Sequence, residues 1–194
     1  MVIDFLPGEE SGCYIRNAGG APANVAIAVA RNGLQSGFLG KVGDDDFGRF
    51  LVSVLEENGV ENVCKTMTSE AVTTMAFVTL HEGGERTFTF ARKPGADMLL
   101  SPDEISPAII DRYTVVHAGS CSLSRSPAAE ATIRALELGH DRRKLVSFDV
   151  NYRNLLWDND QAAAVTRLLN AFVDQLAREV DVGAVLEDHG DLRQ

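Results

Sequence analysis

The sequence predicts an α/β fold, a parallel sheet flanked by helices with a small β lid, and three observations carry that reading. Strand-like and helix-like stretches alternate from Ser36 to Asp149 at the spacing of right-handed crossovers. A glycine pair opens a helix of small apolar residues, Gly19-Gly20-Ala21-Pro22-Ala23-Asn24, which runs on to Gly33. Two β-rich runs, Thr73–Leu80 and Arg86–Phe90, flank Gly83-Gly84 and so read as a hairpin.

The elements follow in order. Val2–Leu6 is the end of a first parallel strand, and Cys13–Asn17 is a brief alternating strand of the lid. In the helix that follows, Pro22 suits the first turn because its missing N–H costs nothing there, and Gly33 suits a left-handed cap. The two glycines let backbone amides approach a ligand, and Asn24 adds an amide that both donates and accepts. A helix start of this kind favours polar or anionic ligands. A tight turn into a well-capped helix accounts for the same six residues.

Ser36–Val42 is a strand, Phe47–Asn58 a helix closed by Gly59, and Val60–Lys65 a short strand. Asp44-Asp45-Asp46 stands at the helix start, where capping and the dipole explain the acids without a metal. Ser101-Pro102-Asp103-Glu104 is a capping box that starts a short helix. Tyr113–Ala118 is a strand, Ser126-Pro127 opens a helix through Leu138 closed by Gly139, and Lys144–Asp149 is the next strand. Asp149-Val150-Asn151-Tyr152-Arg153 follows it, where open α/β sheets bind ligands, and the forked guanidinium of Arg153 suits a phosphate. Asp160–Glu179 reads as a long helix and Val180–Glu187 as a last strand.

Composition narrows the function. The 194 residues suffice for one well-buried domain, and no apolar run reaches membrane-spanning length. With 18 basic and 28 acidic residues the net charge is −10, which argues against nucleic-acid and membrane-surface partners. Cys13, Cys64 and Cys121 are odd in number and far apart, as reduced thiols in a cytoplasmic protein are, and no leader pattern precedes them. Gly-x-Gly-x-x-Gly does not follow the first strand, which removes the dinucleotide oxidoreductase reading. His81, His117, His140 and His189 show no triad or metal-ligand spacing.

Three motifs then coincide: Gly19-Gly20-x-x-x-Asn24, Gly40-Lys41-Val42-Gly43-Asp44-Asp45 and Asp149-x-Asn151-x-Arg153. From Ile3 to about Trp157 the chain resembles the ribokinase-like (PfkB) carbohydrate kinases, and the fructokinases within them. The resemblance implies a three-layer Rossmann-like ribokinase fold, incomplete here. It implies a single truncated domain over residues 1–194, with lid segments at about 12–18 and 72–92. It also implies transfer of the ATP γ-phosphate to a sugar hydroxyl, with Mg²⁺ accompanying the nucleotide and fructose as the sugar, 2-keto-3-deoxygluconate or another ketose being the alternative.

By the same resemblance Asp4, Gly19, Gly20 and Asn24 hold sugar hydroxyls, and Arg92 and Arg153 meet the open-chain or phosphate end. Asn151, Arg153 and Glu187 lie on the phosphate and nucleotide side, and no metal ligand is implied. A homodimer through the lid is a further expectation from the family. Several positions depart from the pattern. Ala91 stands where relatives carry an aromatic residue, and Val150 where they carry proline. Ala184 and Leu186 replace a lysine and an asparagine or serine before Glu187. Gly-Ala-Gly-Asp, which supplies the family's anion hole and general base, does not occur in the sequence. The expectation is therefore no catalytic residue in this chain, and little turnover by it alone. A non-catalytic sugar-binding or dimerising remnant is the rival reading.

Overall fold

The computed structural model describes residues 1–10, 12–64, 66–81, 86–151 and 154–157. Met1–Tyr152 is one compact unit. In the second unit, Asn154–Leu156 forms a 3₁₀ turn. The expected helix Asp160–Glu179, the strand Val180–Glu187 and the hairpin tip at Gly83-Gly84 lie outside the described residues.

The first unit opens with β1 (Val2–Pro7) and β2 (Tyr14–Gly19), followed by α1 (Ala21–Arg31), β3 (Ser36–Phe38), β4 (Val42–Gly43) and α2 (Asp46–Glu57). β5 (Val60–Asn62) and β6 (Met67–Thr68) lead to the hairpin strands β7 (Met75–Leu80) and β8 (Arg86–Ala91). Then come α3 (Pro107–Asp111), β9 (Val115–Gly119), α4 (Ala128–Asp141) and β10 (Leu145–Asp149). Parallel pairing joins β1 to β7, β3 to β5, β4 to β6 and β9 to β10. β1 and β2, and likewise β7 and β8, pair antiparallel, so one four-stranded sheet runs β2-β1-β7-β8. The sheet structure is thus mixed where the sequence suggested parallel strands. The antiparallel pairs are two hairpins, in the segments expected as the lid, whose short connections permit only that direction.

The layering is clearest around β9 and β10. Successive residues of a strand point to opposite faces. Gly119 lies under α1, where an added Cβ would stand 3.6 Å from Pro22. Gly139 of α4 lies on the other face, where a Cβ would stand 3.0 Å from Val116 and 3.4 Å from Val146. Gly139 is therefore a close-packing residue inside α4 and not its cap. The chain reverses further on, at Arg143, which takes φ 54°. Gly33 and Gly59, at φ 79° and 74°, do end α1 and α2 as their sequence positions suggest.

Two apolar clusters fill the space between layers. Ile3, Leu51 and Leu55 are fully buried with Phe38, Val42 and Val60 in the first, and Leu100, Ile105 and Ile110 meet the alanines of α4 in the second. Two local expectations change. The strand at Ser36 divides into β3 and β4. The capping box starts a single 3₁₀ turn, Pro102–Glu104, and α3 is a separate helix capped by Ser106.

Candidate functional site

The site is built outward from β1. Asp4 pairs across the strands with Asn17, so both side chains share one face of the β2-β1-β7-β8 sheet. The Asp4 carboxylate lies directly over Gly19, in the space a Cβ would occupy. Any side chain there would push the carboxylate aside. On the opposite face Phe5 stacks on Phe77 at 4.9 Å and meets Phe47 edge-on, while the Arg16 guanidinium lies 4.1 Å from the centre of the Phe50 ring. That face is thereby committed to α2. Leu6, Ile15 and Leu80 are exposed on the Asp4 side, at 37%, 56% and 54%.

Gly20 turns the chain from β2 into α1. Its φ of 108° is a backbone conformation that glycine supplies readily, and a Cβ would stand 3.2 Å from the Met1 Cα. No side chain caps α1 at Gly20. Asn24 donates its backbone N–H to the Gly20 carbonyl at 3.0 Å and leaves its side chain exposed. The start of α1 reaches the carboxyl ends of β9 and β10 through Pro22 and Gly119. There the Ser120 hydroxyl donates to the Asn151 carbonyl at 3.4 Å, and the Asn151 N–H donates to Asp149 Oδ1 at 3.1 Å. Below them, His117 Nδ1 meets Ser147 Oγ at 3.0 Å. Burial lowers the His117 pKa against the pull of Asp149, which favours a neutral ring with a structural role.

The structure thus joins Asp4 to Gly19 and Gly20, and brings the start of α1, Ser120 and Asn151 to one end of the strands. Arg92 does not join them. Its guanidinium is 8% exposed, pairs with Asp97 at 2.6 Å, donates to Ser124 Oγ at 3.0 Å and approaches the Cys121 carbonyl at 3.4 Å. Its guanidinium donors are thus engaged by protein partners in this structure. Arg153 and Glu187 lie outside the described residues.

Sequence reasoning missed the polar groups that hold these segments. Lys41 is buried and pairs with Glu104 at 2.5 Å, while the other Glu104 oxygen accepts from the Ser101 N–H at 3.1 Å. The capping box therefore doubles as the counter-charge of the Gly-Lys-Val-Gly motif. A single lysine among small residues was the available signal. Thr73 and Thr74, both fully buried, bind Asp45 and Asp97 in turn. Asp45 also caps α2 by accepting from the Gly48 N–H at 2.7 Å. Asp44 and Asp46 pair with Arg49 at 2.7 and 2.9 Å, so the acidic run is occupied by protein partners. Among the described residues no group of three His, Cys, Asp or Glu side chains converges as a metal site.

A helix–sheet–helix arrangement around β9 and β10 and a glycine-opened helix at the strands' carboxyl ends define an open-sheet α/β domain, a class that takes ligands at that edge of the sheet. The chain belongs to the pfkB family of carbohydrate kinases, which matches residues 8–176. It is 45% identical to Fructokinase-1 of Zea mays over 169 residues, 84% of this chain and 52% of that protein. The structure resembles the ATP-bound fructokinase of Xylella fastidiosa with TM-score 0.75 and 39% identity, covering 81% of this chain and 48% of that one. It also resembles the fructokinase of Vibrio cholerae O395 with fructose, ADP and a calcium ion bound, with TM-score 0.73 and 34% identity, over 87% and 54% of the two chains. The chain spans about half the length of the curated relatives it matches. No described helix is long and apolar enough to cross a membrane.

Proposed function

We propose that these residues form the sugar side of an ATP-dependent fructokinase. The observation that carries the reading is the Asp4 carboxylate seated on Gly19, beside the Gly20 turn that opens α1 toward Gly119. Asp4 accepts hydrogen bonds from sugar hydroxyls, and the bare Gly19 backbone fixes its height. The Gly20 backbone and the Asn24 side chain orient further hydroxyls at the helix start. Asn151 receives the phosphate end; for Arg153 and Glu187, outside the described residues, the phosphate and nucleotide roles rest on the sequence resemblance alone. ATP supplies the phosphoryl group, and Mg²⁺ arrives on its phosphates. The lid segments at about 12–18 and 72–92 cover the sugar, and the exposed Leu6, Ile15 and Leu80 serve a homodimer contact through the lid.

Phosphoryl transfer needs a positioned hydroxyl, a base and neutralised phosphate charge. Without a Gly-Ala-Gly-Asp element in the sequence, the reading assigns sugar binding and not turnover to the 194 residues taken alone. The test is thermal unfolding of the purified chain with fructose, alongside ADP release with Mg-ATP. Fructose is expected to raise the midpoint as ligand linkage requires. Asp4→Asn and Asn24→Ala are expected to abolish that rise, with no ADP formed by any of the three proteins. A rise that survives both substitutions, or no rise with any ketose, overturns the reading.

A further inference from the structure

The base of the β7–β8 hairpin is held by a single carboxylate. Thr74, immediately before β7, donates its hydroxyl to Asp97 Oδ1. Arg92, immediately after β8, donates from Nε to Asp97 Oδ2 at 2.8 Å and approaches it through Nη2 at 2.6 Å. Both legs of the hairpin are therefore fastened to one residue, and that residue sits in a 3₁₀ turn, Ala96–Met98, whose Ala96 N–H donates to the Val72 carbonyl at 2.9 Å. Gly95 makes room for this: a Cβ there would overlap the Thr74 hydroxyl and stand 2.7 Å from Asp97 Oδ1.

The remaining guanidinium donors point elsewhere. Nη1 donates to Ser124 Oγ at 3.0 Å and Nη2 approaches the Cys121 carbonyl at 3.4 Å, so Arg92 also grips the turn Ser120–Leu123 that follows β9. The first residue of that turn, Ser120, reaches the Asn151 carbonyl after β10. A continuous polar path thus runs from the hairpin base to the loops at the carboxyl ends of β9 and β10.

From this geometry we infer that Arg92 is a positioning residue which, with Asp97, fixes the angle of the β7–β8 lid hairpin against the ligand-binding loops after β9 and β10. The inference deepens the proposed function and rests on its assignment of the lid and the sugar side. A planar fork with several donors can serve Asp97, Ser124 and a carbonyl together, which a lysine ammonium on its flexible stem does not do. Fixing the hairpin before the sugar arrives lowers the ordering cost of binding.

The test combines amide hydrogen exchange with fructose titration of the purified chain. In Arg92→Gln, exchange across β7 and β8 is expected to rise about tenfold or more while α4, β9 and β10 stay within about twofold, because local opening is decoupled from global unfolding. Fructose affinity is expected to fall about tenfold, the counterpart of a coupling of one to two kcal/mol. Arg92→Lys should restore neither readout. Ser124→Ala keeps the Arg92–Asp97 pair and cuts only the outer grip, so it should loosen the hairpin by a few-fold. Uniform acceleration over the whole chain, unchanged hairpin exchange, or full rescue by lysine overturns the inference. If Arg92→Gln does not fold, Ser124→Ala decides by the same criteria. If the unsubstituted chain binds no fructose, the proposed function falls, and the exchange pattern alone decides the positioning role.

Discussion

Thr73 and Thr74 are adjacent and fully buried, and each sits on an aspartate, yet the two aspartates hold the fold in different ways. Asp45 serves neutral donors: the Thr73 hydroxyl at 2.7 Å, the Thr73 N–H at 2.8 Å and the Gly48 N–H at 2.7 Å. Asp97 serves a buried cation, Arg92, as well as the Thr74 hydroxyl. Both sites need a glycine at close quarters. A Cβ on Gly43 would stand 2.5 Å from the Thr73 amide nitrogen, and one on Gly95 would stand 2.7 Å from the Asp97 carboxylate. The difference lies in what is left when the acid is removed. At Asp45 it is unpaired N–H groups near a helix start, which water can partly reach. At Asp97 it is an uncompensated charge in the interior.

That contrast predicts its own largest effect. Asp97→Ala should destabilise the chain by about 3–5 kcal/mol, the range for breaking a buried ion pair by removing one partner. Urea unfolding measures it, and a loss below that of Asp45→Ala would break the comparison. Replacing both charges together, with Arg92→Met and Asp97→Leu, should recover most of the stability because no orphan charge remains. The same double variant should not recover fructose affinity, since the grip on Ser124 is gone.

Asp45→Ala comes next, at about 2 kcal/mol for a lost cap and unpaired buried donors. Its pH dependence sharpens the comparison further. Burial alone would raise the Asp45 pKa, but hydrogen bonds from Thr73 and Gly48 outweigh it and hold the carboxyl below its ordinary value. A folded pKa below the unfolded one means the native state binds fewer protons in acid. The contribution is therefore complete above the ordinary carboxylate range and is lost as the pH falls through the folded value. Urea midpoints measured from neutral pH into acid should fall less steeply in Asp45→Asn than in the unsubstituted chain. The smallest effect belongs to Arg49, whose pairs with Asp44 and Asp46 are open to solvent. Arg49→Ala should leave the unfolding midpoint unchanged within measurement, as exposed pairs commonly do.

Why one aspartate was legible and the other was not follows from distance along the chain. Asp45 stands three residues before Gly48, and an acid ahead of an amphipathic run is a local signal. The Thr73 side of the same site lies 28 residues away and left no trace in the pattern. Asp97 is joined to Thr74 across 23 residues and Arg92 to Ser124 across 32; Arg92 and Asp97 are only five apart, but they flank a turn with no helical or strand period to mark a pair. The resemblance assigned Arg92 to the ligand from its position after β8, and the pairing of its guanidinium with Asp97 and Ser124 came only from the tertiary structure.

Sequence alone determined α1 and α2 with their glycine ends, the β7–β8 hairpin and the family, since these depend on periodicity, caps and contiguous motifs. Tertiary structure decided that Gly139 packs against Val116 and Val146 and ends nothing, and that Glu104 neutralises Lys41 while closing its own capping box. It also decided that Asp4 rests on Gly19 and that Asp97 gathers both legs of a hairpin. The physical reason is the same in each case. Local rules govern how a residue bends or caps its own segment, but burial of a charge or contact with a bare backbone is fixed by whichever distant segment arrives beside it.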